Sequence, residues 1–333
     1  MPVVTRVLVL VLMGPPFLPL YVRAKFYSVS AAAGLQAWGA ASENPAEQNP
    51  SDENARQSKS GQNQPQKHAS SNADQGDSLQ KHIDLAKSLA GEGDLAGAVA
   101  EYRRGLQLKP TDAPAYLDLG GLLEELGDGQ GALDAYRHAV RLQPANVEAH
   151  YDLGLALEHA NGDLDGAIAE YRRAVALDGE LAEPHYNLGL ALEKKSQYDA
   201  AITEFRTLLQ LDPEMAEAHF SLGNALLAKH DVPEAIQEFR QCLKLSPESP
   251  AAHENLARAL LMQHDLEGGI TEYRAALRYD AGNPSTHFSL GAALAKKGEL
   301  RDALEQYRKA TELDKRNAGY RAAYEKLAGQ LKQ

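Results

Sequence analysis

One segment recurs along most of the chain, and its recurrence constrains the fold more than any other feature. Residues 182–215 hold two apolar series at helical spacing, on either side of the polar tripeptide Lys195-Ser196-Gln197. The series are His185, Leu188, Gly189 and Leu192, then Ala201, Phe205, Leu208 and Leu211. Residues three and four apart share one face of a helix, so each series gives its helix one apolar stripe. A single helix pair leaves much of that stripe exposed to water, so copies must stack to bury it.

Seven copies of this segment follow one another at a spacing of 34 residues, and the third copy has one extra residue. Their first halves are residues 79–89, 113–123, 147–157, 182–192, 216–226, 250–260 and 284–294. From its length alone, a chain of 333 residues would suggest about two domains. A repeat protein becomes longer by adding copies, each of which contacts only its neighbours, so its length does not indicate the number of domains. The spacing therefore predicts one helical repeat array rather than two globular domains.

The repeated segment resembles the tetratricopeptide repeat, whose small and large positions are occupied in register. The Leu-Gly pair of that family stands at Leu119-Gly120, Leu153-Gly154, Leu188-Gly189, Leu222-Gly223 and Leu290-Gly291. The small residue of its second helix is Ala98, Ala132, Ala167, Ala201, Ala235 and Ala303. The aromatic residue of that helix is Tyr102, Tyr136, Tyr171, Phe205, Phe239, Tyr273 and Tyr307. The resemblance covers residues 79–317 and implies an all-α fold, a right-handed α-solenoid (superhelix) of antiparallel helix pairs with a period of 34 residues.

Residues 1–41 are interpreted as a signal peptide or an N-terminal anchor. Arg6 is followed by sixteen uncharged residues, which are too few to span a bilayer as a helix, and three prolines interrupt them. Small residues follow, as at a signal cleavage site. These features predict an exported protein, periplasmic or secreted, or one that its N-terminus tethers to a membrane. If Met13 is the true start, the chain is cytoplasmic.

The remaining segments outside the repeats are predicted to be a linker and a cap. Residues 42–78 are interpreted as a disordered polar linker, because they hold too few apolar side chains to offset the entropy lost on ordering. Ser78 is predicted to cap the first repeat helix. Residues 318–333 are predicted to form a capping helix that covers the seventh copy. Its apolar face is Tyr320, Tyr324, Leu327 and Leu331.

The formal net charge of −12 lies on residues 79–333, because the basic and acidic residues of segment 1–78 cancel. Such an acidic surface repels nucleic acid and anionic membranes and favours basic or neutral partners. We therefore expect a protein or peptide partner, no nucleic acid, and no membrane contact by the repeats. The single cysteine, Cys242, stands where other copies have alanine, which predicts a small buried hydrophobe rather than a reactive thiol.

Two ionisable residue types recur in register, and both are predicted to be structural. The histidines are His82, His150, His185, His219, His253 and His287. Equivalent positions of neighbouring copies lie roughly 8–10 Å apart, too far to share a metal ion whose ligands lie about 2 Å from it. The arginines are Arg103, Arg137, Arg172, Arg206, Arg240, Arg274 and Arg308. Their stems are predicted to cover a neighbouring helix while their heads meet carboxylates on the outer face.

No Ser-His-Asp arrangement, glycine-rich phosphate loop or Cys/His cluster occurs in the setting that its chemistry needs. Every long segment is already assigned, which leaves no room for a catalytic domain. We therefore expect no enzymatic activity, no cofactor and no metal.

In the family that the repeats resemble, the first helices line a concave groove that binds extended peptides or partner helices. The resemblance places in that groove Tyr151, Asp152, Tyr186, Asn187, Leu190, Phe220, Asn224, Asn255, Arg258 and Phe288. A row of aromatic rings beside a row of hydrogen-bonding groups suits a peptide, which presents both a polar backbone and apolar side chains. The alternative is that the rings only cover the floor of the groove.

The predicted function is that of a non-enzymatic protein-protein interaction scaffold, which binds a peptide segment or a partner subunit in this groove. Two alternatives stay open from the sequence. The chain is a regulatory or accessory subunit of a separately encoded enzyme, or a structural repeat protein that associates with itself.

Overall fold

The computed structural model describes residues 68–332, which form fifteen α-helices and no β-strand. They belong to two compact units, one that ends at Pro144 and one that starts at Ala145. The first unit contains α1 (His68–Gly91), α2 (Leu95–Leu108), α3 (Ala113–Glu125) and α4 (Gly129–Leu142). The second contains α5 (Val147–Asn161), α6 (Leu164–Leu177), α7 (Ala182–Lys194), α8 (Tyr198–Leu211), α9 (Ala216–Ala228), α10 (Val232–Leu245), α11 (Pro250–Met262), α12 (Leu266–Tyr279), α13 (Pro284–Lys297), α14 (Leu300–Leu313) and α15 (Ala318–Gln330). The predicted all-α repeat solenoid is confirmed.

Each copy contributes a first helix and a second helix that pack against each other. In the second unit every helix from α5 to α15 packs against the next one in sequence, so each copy also contacts its neighbour. The predicted apolar stripes face these contacts: Leu188 and Leu192 of α7 are 1% exposed, and Phe205 of α8 is fully buried. Stacking therefore buries the surface that a single helix pair would leave exposed to water.

The Leu-Gly pair exists because an aromatic ring of the second helix occupies the space beside the glycine. A Cβ atom added at Gly189 would lie 2.5 Å from Cε1 of Phe205, which is closer than carbon atoms approach. The ring of Tyr171 lies similarly close to Gly154, and the ring of Phe239 lies similarly close to Gly223. The absence of a Cβ atom at the glycine therefore allows the two helices of a copy to pack closely. The buried aromatic ring of the second helix occupies the space beside the glycine backbone.

The turn inside each copy requires a left-handed backbone. Gly93, Gly127, Gly162 and Gly298 have positive φ angles, and Ser196, His230 and His264 adopt the same conformation at φ 58°, 63° and 66°. His230 and His264 can occupy these turn positions because histidine is among the non-glycine residues that tolerate this region. An aspartate next in sequence caps the second helix in several copies, as Asp231 caps α10 by accepting from the Glu234 amide.

The start of the first repeat differs from the prediction. Helix α1 begins at His68, so Ser78 lies inside the helix and is not its N-cap, and residues 68–77 of the predicted linker are helical. No proline occurs between residues 68 and 91, and extending an existing helix by one residue is far easier than nucleating it. The predictions for residues 1–67, a leader or anchor and a polar linker, lie outside the described residues. None of the helices within residues 68–332 is long and apolar enough to cross a membrane.

Helix α15 packs on the seventh copy through most of its predicted apolar face. Leu327 is 6% exposed and lies in a cluster that includes Leu290 and Leu294 of α13. The Tyr320 ring lies 5.0 Å from the ring of Phe288. Leu331 is 41% exposed because the helix ends at Gln330, so the predicted face stops one turn earlier than the sequence pattern suggests.

The single cysteine is buried, as predicted. Cys242 of α10 is 3% exposed. Burial, together with the nearby charge of Glu217, raises the pKa of its thiol to about 11. The group therefore stays protonated at neutral pH and packs as an apolar side chain, since the thiolate is the reactive form.

Candidate peptide-binding face

All ten predicted groove residues lie on the first helices of the second unit. We call the surface formed by α5, α7, α9, α11 and α13 the first-helix face. Its polar and aromatic residues recur at the copy spacing, which places one set of them on each of these helices. Their burial and contacts divide them into three groups, namely rings that pack inward, polar groups that join copies, and residues that line a pocket.

The aromatic residues of this face pack inward against the second helix of their own copy. Tyr186 is only 7% exposed, and its ring centroid lies 6.3 Å from that of Phe205. Equivalent ring pairs are Tyr151 with Tyr171 at 6.0 Å, Phe220 with Phe239 at 6.0 Å and Phe288 with Tyr307 at 5.4 Å. Between the two interpretations left open by the sequence, this geometry favours rings that cover the floor of the face.

Polar residues of the first-helix face form hydrogen bonds between successive copies. The Asn187 amide donates to the Tyr151 hydroxyl at 2.7 Å, across the boundary between copies three and four. Tyr186 is hydrogen-bonded to Ser221 of the next copy, and burial raises the pKa of its phenol. Asp152 and Leu190 lie half-buried on the same face. These polar groups position one copy on the next, a role that the sequence pattern alone did not reveal.

A pocket of about 470 Å³ lies on the first-helix face between α7, α9 and α11. Three of the predicted groove residues line it, namely Asn224, Asn255 and Arg258. The other lining residues are Glu193, Leu227, Ala228 and Met262. The pocket therefore combines an apolar wall with amide groups and one residue of each charge. The predicted residues that do not line it are Tyr151, Asp152, Tyr186, Asn187, Leu190, Phe220 and Phe288.

Two asparagine side chains from neighbouring copies meet at this pocket. Nδ2 of Asn255 donates to Oδ1 of Asn224 at 2.7 Å. Each primary amide carries two N–H donors and a carbonyl oxygen with two lone pairs. One shared hydrogen bond therefore leaves the pair with further donors and acceptors, the combination that a peptide backbone requires.

The charged residues beside the asparagine pair are one exposed cation and two carboxyl groups. Arg258 is exposed on α11. Burial raises the pKa of the Glu193 carboxyl, and the neighbouring Lys194 opposes that shift. Burial and the charge of Asp280 raise the pKa of Glu254, while Arg258 lowers it. The pocket thus places the solvent-exposed guanidinium of Arg258 near the partly desolvated carboxyl group of Glu193. Glu254 lies outside the pocket lining and accepts a hydrogen bond from Asn283.

A larger pocket of about 620 Å³ lies between α12, α13 and α14. Its basic residues Arg274, Arg278 and Lys309 are balanced by the acidic residues Asp302, Glu305 and Glu312. Several of these already pair within the chain, as Arg274 does with Glu299 at 3.9 Å. The mixture offers no single chemical preference, so the pocket on the first-helix face is the better candidate.

The recurring histidines have the structural role that the sequence predicts, with a partner that it did not identify. Nδ1 of each histidine contacts a side chain of the second helix, such as Glu204 at 2.6 Å from His185. Among residues 68–332, no three His, Cys, Asp or Glu side chains are grouped so that they could hold a metal ion. A glutamate recurring 19 or 20 residues after most of the histidines was the sequence signal that could have revealed this pair.

Three of the seven recurring arginines, Arg137, Arg206 and Arg308, contact carboxylates on the second helices, as predicted. Arg206 contacts Glu234 of the next copy at 2.6 Å, and Arg137 contacts Asp134 at 3.5 Å. Arg308 contacts Glu305 and Glu312 at 2.7 and 2.8 Å. Because these pairs are solvent-exposed, water and salt screen them and they contribute little to stability.

Comparison with protein-family models identifies the repeats. Models described as "Tetratricopeptide repeat" match residues 186–250, 225–284 and 284–317. A model described as "TPR repeat" matches residues 125–159 and 157–196. Together the matches run without a gap from residue 125 to residue 317, more than half of the 333 residues. The chain belongs to the tetratricopeptide repeat family.

Solved structures of other tetratricopeptide repeat proteins share this fold at low sequence identity. The C-terminal part of a TPR repeat-containing protein from Cytophaga hutchinsonii is 16% identical with a TM-score of 0.61, over 72% of this chain and 98% of that one. A tetratricopeptide repeat protein from Parabacteroides merdae is 16% identical with a TM-score of 0.54, over 76% and 100%. YrrB, described as a TPR protein with an unusual peptide-binding site, is 21% identical with a TM-score of 0.51, over 58% and 100%. No curated protein sequence matches this tetratricopeptide repeat chain significantly.

Proposed function

We propose that this tetratricopeptide repeat protein is a non-enzymatic interaction scaffold that binds an extended peptide segment of a partner protein on its first-helix face. The observation that carries the proposal is the pocket that Asn224, Asn255 and Arg258 line together with Leu227 and Met262. Proteins of this family are generally not enzymes, and binding of a protein partner is their common role.

The pocket has the two kinds of group that an extended peptide needs. The asparagine pair offers amide donors and acceptors to the peptide backbone, and Leu227 and Met262 offer apolar surface to a side chain. Met262 is 43% exposed, so its thioether side chain is accessible and can adapt to different shapes. The fold supports this use, since YrrB shares it and is described as having a peptide-binding site.

The preferred partner is basic or neutral overall. Residues 79–333 carry the whole net charge of −12, which attracts basic segments over distances of several ångströms. Charge attraction of this kind mainly accelerates association, while contacts in the pocket determine how long the complex lasts. We therefore expect binding of a basic peptide to weaken when the salt concentration rises from about 50 to about 500 mM.

Panning a random peptide-display library against the full chain tests this proposal. We expect Asn255→Ala to weaken the binding of a selected synthetic peptide about three- to tenfold in isothermal titration calorimetry, since one net hydrogen bond contributes about 0.5–1.5 kcal/mol. Asn255→Ala combined with Arg258→Ala should weaken it further. Peptide binding should show the salt dependence given above.

Asn187→Ala is the matched control, because it removes an equivalent hydrogen bond between copies, to Tyr151, at a site outside the pocket. It should leave the dissociation constant within about twofold of the natural chain. Equal weakening by Asn187→Ala and Asn255→Ala would attribute the effect to stacking of the copies. Unchanged affinity in the Asn255→Ala, Arg258→Ala double variant would place the peptide on another surface.

A further inference from the structure

The histidines of copies four, five and six each face two hydrogen-bond acceptors. Nδ1 lies 2.6 Å from a glutamate Oε2 atom on the second helix of the same copy. Nε2 lies 3.1 or 3.2 Å from a backbone carbonyl oxygen six residues earlier. The sets are His185 with Glu204 and Gly179, His219 with Glu238 and Pro213, and His253 with Glu272 and Pro247. The arrangement is therefore the same in three consecutive copies.

The geometry at His219 favours a proton on both ring nitrogens. A carbonyl oxygen and an ionised carboxylate only accept hydrogen bonds, and a neutral imidazole has a single N–H to donate. Only the imidazolium form satisfies both partners at once. For His219 the hydrogen bond with Glu238 raises the pKa, burial opposes it, and the Pro213 carbonyl and the Glu238 charge add to the rise.

Each of these histidines joins three segments of the chain. His219 lies on α9, Glu238 on α10, and the Pro213 carbonyl in the loop that follows α8 of the preceding copy. Glu238 is the charged side chain that faces His219 from these segments. Loss of one hydrogen bond from the ring would therefore loosen either the pair of helices in a copy or the connection to the copy before it.

The two neighbouring histidines have comparable surroundings. His185 faces the Glu204 carboxylate from α8, and its side chain is 5% exposed. His253 faces the Glu272 carboxylate from α12, and its ring also stacks on Tyr279 of that helix at 5.8 Å between centroids. The charged side chain that contacts each ring is thus a single glutamate, supplied by the second helix of the same copy.

Copy seven provides a comparison within the molecule. His287 makes the same two contacts, but its Nδ1 partner is Oε1 of Gln306 at 2.7 Å and its Nε2 partner is the Ala281 carbonyl at 3.2 Å. A glutamine amide can donate as well as accept a hydrogen bond. A neutral His287 ring therefore satisfies both partners, with its Nε2–H donating to the carbonyl and its Nδ1 accepting from the turned amide.

We propose that His219 forms a pH-dependent link between copies, which stabilises the second unit when its ring is protonated and weakens when the ring loses that proton. The proposal is independent of peptide binding. For His219 the native pKa lies above the unfolded one, so its contribution is fully present below about pH 6.5. The contribution is then lost as the pH rises through the native pKa.

Urea denaturation of the full chain at about pH 6 and about pH 8.5, followed by circular dichroism, tests this link. We expect the urea midpoint of the natural chain to fall at the higher pH, with a rise of about threefold or more in the unfolding equilibrium constant. In the variant Glu238→Gln, which removes the carboxylate facing His219, we expect a smaller fall. Glutamine is compatible with the fold at this position, since Gln306 occupies it in copy seven.

The matched control is Glu214→Gln, which removes one charge from an exposed loop position. It should keep the full pH dependence of the natural chain. An equal fall in the histidine-facing variant and in the natural chain would overturn the proposal, and so would the absence of any fall in the natural chain. If the Glu238→Gln variant does not fold, an NMR titration of His219 in the natural chain decides: a midpoint above about 6.5 supports the link, and a midpoint at or below that value overturns it.

Discussion

Replacing Phe205 with alanine is expected to lower the free energy of unfolding of the second unit by about 3–5 kcal/mol. The Phe205 ring is fully buried between α7 and α8, and it lies against the backbone of Gly189. Removing it opens a cavity that rigid helices cannot close, so the cost exceeds the loss of apolar burial alone. Leu211→Ala on the same helix is the control, because Leu211 is 39% exposed, and it should lose less than half as much.

The Phe205 ring also determines whether the substitution Gly189→Ala lowers or raises the free energy of unfolding. Gly189→Ala should destabilise the natural chain by about 1–3 kcal/mol, because the new methyl group would lie 2.5 Å from a ring carbon. In the Phe205→Ala background the ring is gone, and alanine should then be favoured over glycine by about 1 kcal/mol through its helix propensity. Urea denaturation of the two single variants and the double variant measures this coupling.

Gly179→Ala is the control for the glycine substitution, since its Cβ would lie 3.6 Å from the nearest atom, at ordinary contact distance. It should change the free energy of unfolding by about 1 kcal/mol or less. If Gly189→Ala were equally destabilising with and without the Phe205 ring, the close approach of ring and glycine would not be what holds these two helices together.

Truncation after Asn317, which removes α15, is expected to lower stability by about 2–4 kcal/mol and to reduce solubility. The truncation exposes the cluster in which Leu327 packs against Leu290 and Leu294, and it removes the contact between Tyr320 and Phe288. A stack of repeats needs a terminal helix with a polar outer face to remain soluble. Thermal melting and the saturation concentration of the two chains measure both effects.

A shorter truncation that removes only residues 331–333 is the control. Leu331 is 41% exposed and follows the last helical residue, so melting temperature and solubility should both stay unchanged. Equal behaviour of the chain ending at Asn317 and the full chain would show that α15 is not a cap. Loss of stability in the control would show that burial in this helix extends beyond Leu327.

The fold was predictable because its main features recur in register. A ring such as Phe205 follows a glycine such as Gly189 by 16 residues in four copies and by 17 in copy three, so the recurrence predicts two helices and their buried sides. The first helical residue was not predictable in the same way. Ser78 has the chemistry of an N-cap, but α1 extends past it to His68, and no repeated residue marks that position.

The candidate site was predicted only as a surface. The resemblance to the tetratricopeptide repeat places Tyr186 and Asn255 in the same groove, but it does not say that Tyr186 is buried or that Asn255 reaches Asn224. Those outcomes depend on side-chain directions and on the separation of copies, which a linear pattern does not contain. The link between His219 and Glu238 is different, because both residues recur in register and the sequence held the signal.

The most direct measurement of partner binding on the first-helix face is photo-crosslinking in the native host. A photo-reactive amino acid replaces Met262, which lines the pocket and is 43% exposed, or Leu245, which ends α10 outside the pocket and is 41% exposed. The two sites are equally accessible, so only the position of the partner distinguishes them. We expect one covalent protein adduct of defined mass at position 262 and none at position 245. An adduct at position 245 with none at position 262 would contradict the proposed binding face.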